Sequence, residues 1–320
     1  MLIPFLFLIA GLIILIFGAN YMVEGASALA KKFNISNLAI GLTVVAFGTS
    51  APELVVNTFA ALQGHQDIVF GNVLGSNNFN LFIILGITGL IVPLAVQSST
   101  VWKEIPISFL AVVILYFLVN DNFLFGSGTS VLGQMDGFIL LAFFSLFLFY
   151  VYKQLKSDPT ETEIKLPHLS NLKIGIYIIG GLGGLVYGGH LVVNNAVELA
   201  QFFGISEKII GLTVVAAGTS LPELATSLVA ALKKNAEIAV GNIIGSNIFN
   251  IFLILGVSSV LKPIGFDPLF NIDLYILGGG TIFLFLAMFI GNPKKIDRWQ
   301  AAVKLFFYLG YMTYMVLREL

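Results

Sequence analysis

Long runs of apolar residues, separated by short polar segments, cover almost the whole chain. Windows of about 19 residues, with roughly 20 apolar residues needed for each crossing of a bilayer, define ten such segments. They span residues 2–23, 37–62, 68–92, 104–120, 131–152, 172–194, 206–232, 237–261, 271–290 and 298–317. The pattern therefore predicts an all-α integral membrane protein with ten transmembrane helices.

A polar stretch rich in lysine, glutamate and proline lies between the fifth and sixth segments. It divides the chain into residues 1–152, a linker at 153–171, and residues 172–320. If the loops alternate between two sides, only Lys208, Lys262 and Arg318 lie opposite the linker, and most basic residues share its side: Lys31, Lys32, Lys103, Lys153, Lys156, Lys165, Lys173, Lys233, Lys234, Lys294, Lys295 and Arg298. The positive-inside rule then predicts a multi-pass cell-membrane protein with a cytoplasmic linker and both termini extracellular.

Lys304 is the exception, because it falls within the tenth segment. It lies close to the predicted cytoplasmic start of that segment. We therefore expect its ammonium to extend to the membrane surface along its aliphatic stem.

The two halves of the chain repeat one another. Gly41-Leu-Thr-Val-Val-Ala-Phe-Gly-Thr-Ser-Ala-Pro-Glu53 returns as Gly211-Leu-Thr-Val-Val-Ala-Ala-Gly-Thr-Ser-Leu-Pro-Glu223, and Gly71-Asn-Val-Leu-Gly-Ser-Asn-Asn-Phe-Asn80 returns as Gly241-Asn-Ile-Ile-Gly-Ser-Asn-Ile-Phe-Asn250. The offset is 170 positions throughout, which indicates a duplication. Each half holds five segments, so the second half must enter the membrane from the opposite side. We therefore expect two inverted-topology five-helix repeats, 1–152 with motifs 41–53 and 71–80 and 172–320 with motifs 211–223 and 241–250.

Composition narrows the possible functions. Hydrophobic residues make up 58% of the chain and charged residues 10%, with a mean hydropathy of +0.96, whereas soluble chains have about 45–50% and about 25%. The net charge of −1 leaves no basic surface for nucleic acid. Cysteine is absent, which excludes disulfides, thiolate metal sites and iron–sulfur clusters.

Two acidic residues, Glu53 and Glu223, lie deep within predicted spans at equivalent positions of the repeat. The other acidic residues, Glu104 included, lie in loops or near span ends. A carboxylate at mid-membrane costs about 2.5–3.5 kcal/mol even on lenient insertion scales, so both need a cation, a proton or a partner. The alternative is a pair of protonated glutamates that hydrogen-bond across helices. The oxygen donors duplicated around them favour a cation site instead.

Those donors recur at helical spacing on both motifs of each half. Around the glutamates they form the trios Thr49, Glu53, Asn57 and Thr219, Glu223, Ser227, and in the second motif the trios Asn72, Ser76, Asn80 and Asn242, Ser246, Asn250. Residues four apart share one face of a helix. Small-xxx-small glycine pairs at 71 and 75, and at 241 and 245, would let helix backbones approach closely.

Prolines next to the glutamates predict a distorted backbone. Pro52 and Pro222 have no amide hydrogen, so the carbonyls of Gly48 and Gly218 lose their helical donors. We expect bends near Ala46–Thr49 and Ala216–Thr219. Free carbonyls at mid-membrane are tolerated only where they line a cavity or bind an ion.

A count of oxygen donors favours calcium. Two glutamates offer four oxygens, and carbonyls at Thr49 and Thr219 bring the number to about six, within the six to eight that Ca²⁺ accepts. Mg²⁺, which requires strict octahedral geometry, fits a flexible two-helix site less well. Soft metals lack ligands, since the histidines, at 65, 168 and 190, are scattered.

The paired motifs resemble the α-repeats of the calcium/cation antiporter superfamily, specifically its prokaryotic sodium/calcium exchanger-like members. The resemblance covers both halves and implies ten helices, with calcium export driven by inward sodium at a site between spans two, three, seven and eight. It further implies alternating access by sliding of spans one and six. Carried over by position, it implies the following roles: Glu53 and Glu223 as shared ligands; Thr49, Thr219, Ser50 and Ser220 with the carbonyls of Ala46 and Ala216 completing the shell; Ser76 and Ser246 binding flanking sodium; and Asn80 and Asn250 facing the centre.

One departure from the family pattern matters. Well-known members carry aspartate where this chain has Asn250, and potassium-dependent relatives carry it at both central positions, so the formal charge here is −2. One Ca²⁺, two Na⁺ or two H⁺ would each neutralise that charge, and proton exchange therefore remains open beside sodium exchange. A cation channel is the alternative from another class. An intramembrane enzyme would need a nucleophile with a base, and none is evident.

Beyond the transported ions, the sequence implies no cofactor. The expected partners are inorganic cations and the lipid bilayer, with no nucleic acid and no obligate protein partner.

Overall fold

A computed structural model describes residues 2–120, 130–154, 169–203 and 216–319, and every structural statement below concerns these residues. Helices dominate the described part of the chain. In chain order they are α1 Leu2–Phe33, α2 Asn37–Gln63, α3 Gln66–Ile91, α4 Thr100–Val119, α5 Gln134–Gln154, α6 Asn171–Phe202, α7 Leu221–Leu232, α8 Ala236–Leu261, α9 Pro268–Ala287 and α10 Arg298–Glu319.

Eight of the described helices are long and apolar enough to cross a membrane, namely α1 to α6, α8 and α9. Helices are expected there because hydrocarbon offers no hydrogen-bond partner to the backbone. The predicted all-α membrane fold is thus confirmed. The count of ten stays a prediction: α7 is a shorter apolar helix, much of its predicted span lies outside the described residues, and α10 is not among the eight.

Two short antiparallel ladders join the halves of the chain. Strand β1, Leu94–Ala95, follows α3 and pairs with β4, Lys295–Ile296, which precedes α10. Strand β2, Val131–Leu132, precedes α5 and pairs with β3, Ile264–Gly265, which follows α8. Each ladder therefore pairs the segment after the third helix of one half with the segment before the fifth helix of the other half. The division into 1–152, linker and 172–320 stays a prediction, since most of the linker lies outside the described residues.

Helices α1 and α6 form a closely packed antiparallel pair. A Cβ atom added to Gly18 would lie 2.7 Å from Leu185 N, and one added to Gly181 would lie 2.6 Å from Met22 N. Only glycine allows two backbones to approach so closely. In α6 only 22% of the apolar window is buried inside the protein, against 94% in α8. The pair is therefore peripheral, whereas α8 runs through the centre.

The helices that carry the repeated motifs depart from regular α geometry. Hydrogen bonding is π-helical at Gly41–Val45 in α2, at Phe79–Ile84 in α3 and at Phe249–Leu255 in α8. Such segments insert a residue into the helix and free backbone groups, often near functional sites. The first lies inside motif 41–53, and the other two begin within motifs 71–80 and 241–250. The sequence pattern did not predict them.

Two charged side chains lie deeper than the sequence suggested. Glu104, expected at a span end, is 0% exposed, and its Oε1 accepts a hydrogen bond from the hydroxyl of Tyr150 on α5. Lys304 was expected to reach the surface but is 1% exposed, and its Nζ donates to the carbonyl of Leu81 at 3.4 Å. In both cases the packing of a neighbouring helix, which the span pattern does not contain, covers the charge.

Candidate cation-binding site

The two deep glutamates lie at the centre of the described structure. Glu53 on α2 is 2% exposed and Glu223 on α7 is 1% exposed. Ser50, one turn before Glu53, donates its hydroxyl to Glu223 Oε1 at 2.9 Å. This bond crosses the repeat and brings the carboxylate-bearing turns of α2 and α7 together.

Asn242 of α8 ties the two glutamate helices together. Thr49 of α2 donates to its Oδ1 at 3.1 Å, and its Nδ2 donates to the hydroxyl of Ser227 on α7 at 3.0 Å. The predicted polar stripes of α2, α7 and α8 therefore meet, as their spacing indicated. Asn57, the last member of the first stripe, instead donates to the carbonyl of Glu53 at 2.7 Å.

A symmetric crossing of four asparagines joins α3 to α8. Asn80 Nδ2 donates to Asn247 Oδ1 at 3.0 Å, and Asn250 Nδ2 donates to Asn77 Oδ1 at 2.9 Å. Asn77 and Asn247 also exchange bonds to each other's carbonyls at 3.3 Å. Sequence reasoning missed Asn77 and Asn247. Their presence in both copies of the second motif was the signal that could have found them.

We expect Asn77→Ala to lower the melting temperature of the purified protein. It removes the acceptor of the Asn250 side-chain amide and the donor to the Asn247 backbone carbonyl, at about 1–3 kcal/mol for each group left unsatisfied in the interior. Thermal unfolding in detergent measures the change. Ser145→Ala is the control, because that exposed hydroxyl bonds only its own helix, to Leu141 O. An Asn77 variant as stable as the control would contradict a structural role for the crossing.

Seven buried side-chain oxygens around the glutamates have no hydrogen-bond partner among the described residues. They are Glu53 Oε2, Glu223 Oε2, Asn80 Oδ1, Asn250 Oδ1, Thr219 Oγ1, Ser220 Oγ and Ser246 Oγ. Buried polar groups are almost always paired, and leaving one unpaired costs about 1–3 kcal/mol. All seven are hard oxygen donors of the kind that Ca²⁺ and similar cations accept. The arrangement is therefore chemically suited to a cation.

The second carboxylate oxygens bear on the alternative of protonated glutamates. Glu223 Oε1 accepts from Ser50, whereas the second oxygens, Glu53 Oε2 and Glu223 Oε2, make no hydrogen bond of normal geometry with any described residue and are available to a cation. In the described ranges no three acidic or histidine side chains cluster. A cation at this place would thus be held by two carboxylates and neutral oxygens.

The two serines expected to flank the centre differ. Ser246 Oγ has no partner among the described residues, whereas Ser76 donates to Asn72 Oδ1 of its own helix at 3.2 Å. The backbone carbonyl of Ala46 lies 3.3 Å from the Thr49 hydroxyl. Ala216, the equivalent of Ala46, begins a single helical turn, Ala216–Gly218.

The predicted backbone breaks differ between the halves. In the second half the helix stops after Gly218 and resumes at Leu221, with Pro222 in its first turn. In the first half α2 runs continuously through Pro52, and the expected bend near Ala46–Thr49 stays a prediction. Distortion there lies upstream, at the π-helical Gly41–Val45. Continuous helix on both sides of Pro52 lets one missing hydrogen bond be tolerated without a break.

A cavity of about 720 Å³ reaches the site from one end of the bundle. Its inner part is lined by Pro52 and Thr219, and its outer part by Asp67 of α3 and Asp273 of α9. Helix α6 forms one wall through residues 186, 189, 190 and 193, so His190 faces this space. The cavity thus gives the site access from the end where α3 and α9 begin.

The glycine pairs of the second motif differ in their packing between the two halves of the chain. A Cβ atom on Gly245 would lie 2.8 Å from Ala46 Cβ, and one on Gly241 would lie 2.9 Å from Leu38 O, so α8 packs against the backbone of α2. Among the described residues, none lies within 4 Å of a Cβ atom on the equivalent Gly75, and Gly71 and Gly75 both line the cavity. In the described part of the chain, α8 is therefore packed against α2 on one side of the site, and the cavity reaches the glycine pair of α3 on the other.

Comparison with known proteins agrees with this architecture. The profile of the family described as "Sodium/calcium exchanger protein" matches residues 3–153 and 173–317. Inner membrane protein YrbG of Escherichia coli is 38% identical, over 82% of this chain and 81% of its own length. Sodium/calcium exchanger MaX1 of Methanosarcina acetivorans is 32% identical, over 97% of both chains.

A solved structure is similar over the same extent. The sodium-calcium exchanger NCX_Mj, soaked with Na⁺ and Sr²⁺, matches with a TM-score of 0.82 and 31% identity, over 98% of both chains. Family match, relatives and fold agree over nearly the whole chain, including both repeats. The chain belongs to the sodium/calcium exchanger family of the calcium/cation antiporter superfamily, and it is a multi-pass membrane transporter of cations.

Proposed function

We propose that this protein exchanges Ca²⁺ for Na⁺ across the cell membrane by alternating access. The observation that supports this most directly is a group of seven buried oxygens around Glu53 and Glu223 to which no described residue forms a hydrogen bond of normal geometry. Ca²⁺ binds six to eight oxygens at 2.3–2.6 Å in flexible geometry, which such a set can supply. Glu53 and Glu223 are the charged ligands, and Thr219, Ser220, Ser246, Asn80 and Asn250 are the neutral ones.

Charge supports antiport. The two glutamates carry −2, which one Ca²⁺ or two Na⁺ neutralise equally. An empty site would hold two uncompensated carboxylates in a low-dielectric interior, which is costly to seal away from water. A loaded site is neutral and can be sealed. The two ions therefore compete for one set of ligands, and the protein changes state only when either is bound.

The glycine pairs support alternating access over a channel. In a channel both sides would open together, whereas here the Gly241 and Gly245 face is packed against α2 while the Gly71 and Gly75 face lines the cavity. Inverted repeats can exchange these two states by symmetry. The paired helices α1 and α6 contact α2 at Gly48, near Met22 Cε, and the turn before α7 at Gly218, against Val193. We infer that sliding of this pair opens one side as it closes the other.

The orientation is part of the proposal. With the linker cytoplasmic and both termini extracellular, the ends of the bundle where α3 and α9 begin face outward. The cavity then opens to the outside, and the packed face of α2 and α8 lies toward the cytoplasm. Asp67 and Asp273 would attract cations to the entrance.

Calcium uptake into vesicles that contain the purified protein tests the function. We expect uptake under an outward Na⁺ gradient and none without a gradient, because inward calcium movement is coupled to outward sodium movement. A parallel set of vesicles carries an outward proton gradient only. Uptake that followed the proton gradient alone would replace sodium by H⁺ as the coupling ion. Absence of uptake under either gradient would rule out calcium antiport.

A further inference from the structure

A further carboxylate lines the cavity that leads to the deep glutamates. Asp273, near the start of α9, is half-buried and lines this space together with Asn78 of α3 and Tyr311 of α10. The hydroxyl of Tyr311 donates to Asp273 Oδ1 at 2.5 Å, which holds the carboxylate between α9 and α10. Among the described residues that line the cavity there is no lysine or arginine. A carboxylate in such a place favours a bound cation.

Asn78 supplies a second oxygen beside this carboxylate. It is 1% exposed, and its Nδ2 donates to the backbone carbonyl of Asp273 at 3.2 Å. A carbonyl partner requires a donor, so the other atom of this amide is the oxygen. That Oδ1 makes no hydrogen bond of normal geometry with any described residue. Buried polar atoms are almost always paired, so Asn78 points to a ligand that the side chains do not supply.

The first half of the chain holds a matching pair. Glu104 lies near the start of α4, the helix equivalent to α9, and accepts a hydrogen bond from the hydroxyl of Tyr150 on α5, the helix equivalent to α10. It is 0% exposed, and its Oε2 makes no hydrogen bond of normal geometry with any described residue. Because the repeats are inverted, α4 and α9 begin at opposite ends of the bundle. A carboxylate bonded by a tyrosine therefore occurs on each side of the deep site, within the cavity at one end and fully buried at the other.

We propose that Asp273 and Asn78 form a second cation site, in the cavity, where a hard metal ion such as Ca²⁺ or Na⁺ binds on its way to the deep glutamates. This inference rests on the proposed function, because the ion is the one that is exchanged. Asp273 supplies the charge, Asn78 Oδ1 a neutral oxygen, and cavity water the remaining ligands that such ions accept. One carboxylate attracts the ion less than two do, so the ion can move on. Glu104 has the same role at the other end when that end opens.

Binding of Tb³⁺ to the purified protein tests the second site directly. Tb³⁺, like Ca²⁺, is a hard ion that binds oxygen ligands, and it emits when a nearby tyrosine transfers energy to it. Tyr308 and Tyr311 both line the cavity. The protein used carries Glu53→Gln and Glu223→Gln, which remove the charge of the deep site. We expect saturable, tyrosine-sensitised emission that excess Ca²⁺ displaces.

Substitutions in this double variant locate the bound ion. Asp273→Asn should raise the half-saturating Tb³⁺ concentration at least about tenfold, because it removes the charge of the second site but keeps the shape of the side chain. Asn78→Ala, which removes the neutral oxygen, should raise it about threefold. Asp273→Glu should retain most of the binding.

Asp267→Asn is the matched control. Asp267 is exposed near the start of α9 and accepts a hydrogen bond from Leu269 N at 2.9 Å, which asparagine can also accept. Its half-saturating Tb³⁺ concentration should equal that of the double variant. Absent emission, or equal binding by Asp273→Asn and the control, would overturn the second site.

Transport distinguishes a bound ion from general attraction of cations to the cavity. In vesicles whose protein has its cavity toward the bath, Asp273→Asn should raise the half-saturating bath Ca²⁺ concentration about tenfold, the low end of the effect of charged clefts on ion capture. The maximal rate should stay unchanged, because the deep ligands are intact. Asp67→Asn, at the exposed rim, should have a smaller effect that high concentrations of an inert salt remove. Equal effects of the two substitutions at low and at high salt would overturn the second site.

The two proposals fail in different ways. Emission that depends on Asp273, in a protein whose wild type does not exchange ions, would overturn the antiport and support the second site. Normal exchange by the wild type, with emission that Asp273→Asn does not change, would overturn the second site alone.

Discussion

Glu53→Gln and Glu223→Gln should each reduce calcium exchange at least about 100-fold while the protein stays folded. Each substitution removes half of the charge that compensates the bound cation. A loss of about 3 kcal/mol in cation binding corresponds to roughly 100-fold, and a buried charge contact easily exceeds that value. The amide keeps the shape of the side chain, so packing around Ser50 and Asn242 is retained. Calcium uptake under an outward Na⁺ gradient measures the loss.

Folding should be unaffected or improved in these variants. In the cation-free protein the substitution removes an uncompensated buried charge, which costs stability. The melting temperature without Ca²⁺ should therefore be equal to that of the wild type or higher. Glu24→Gln is the matched control. Glu24 forms a surface ion pair with Lys233 at 2.8 Å and is not one of the proposed site ligands. Wild-type transport by either site variant would refute a shared carboxylate site.

Gly75→Ala should lower the exchange rate at least about tenfold without destabilising the state in which Gly75 lines the cavity. Within the described ranges, no residue lies within 4 Å of a Cβ atom at Gly75, which lines the cavity. In the inward-open state of the proposed cycle, Gly75 would be packed against a helix backbone as Gly245 is packed now. The added methyl group would then meet that backbone. Overpacking of this kind costs about 1–3 kcal/mol, which corresponds to roughly tenfold or more in the population of that state.

The equivalent substitution, Gly245→Ala, provides the comparison. Its Cβ atom would lie 2.8 Å from Ala46 Cβ and 3.0 Å from Leu42 Cα, so it should destabilise the present state directly. We expect a lower melting temperature for Gly245→Ala and an unchanged one for Gly75→Ala, with transport impaired in both. Calcium binding should persist in the Gly75 variant. Full transport by Gly75→Ala would argue against an exchange of packed faces between the repeats.

Much of the site could be predicted because its residues lie on regular spacing in both halves. The stripes through Glu53 and Glu223 needed only helical periodicity, and the structure joins them through Asn242. Asn77 and Asn247 were missed because asparagine in a span has no distinctive local signal. Their role arises from bonds to the opposite half of the repeat.

The errors have a common cause. Glu104 and Lys304 were placed by their distance from span ends, yet α5 covers the first through Tyr150, and α3 covers the second through Leu81 and Phe82. The two prolines also differ in their surroundings, since the helix continues through Pro52 but stops after Gly218 and resumes at Leu221, next to Pro222. Identical residues in the two copies of the motif therefore do not fix identical backbone geometry.

By itself, the sequence determined that the chain is a membrane protein, that it is duplicated, and that two carboxylates stand among oxygen donors at its centre. These features follow from the length, period and repetition of residues along one chain, which are local properties. Only the tertiary structure decided which site oxygens lack a hydrogen bond among the described residues, which glycine pair is packed against a neighbouring helix, and that Lys304 is buried against α3. Those depend on contacts between residues about 170 or more positions apart, such as Ser50 with Glu223 and Lys304 with Leu81, and no local pattern encodes them.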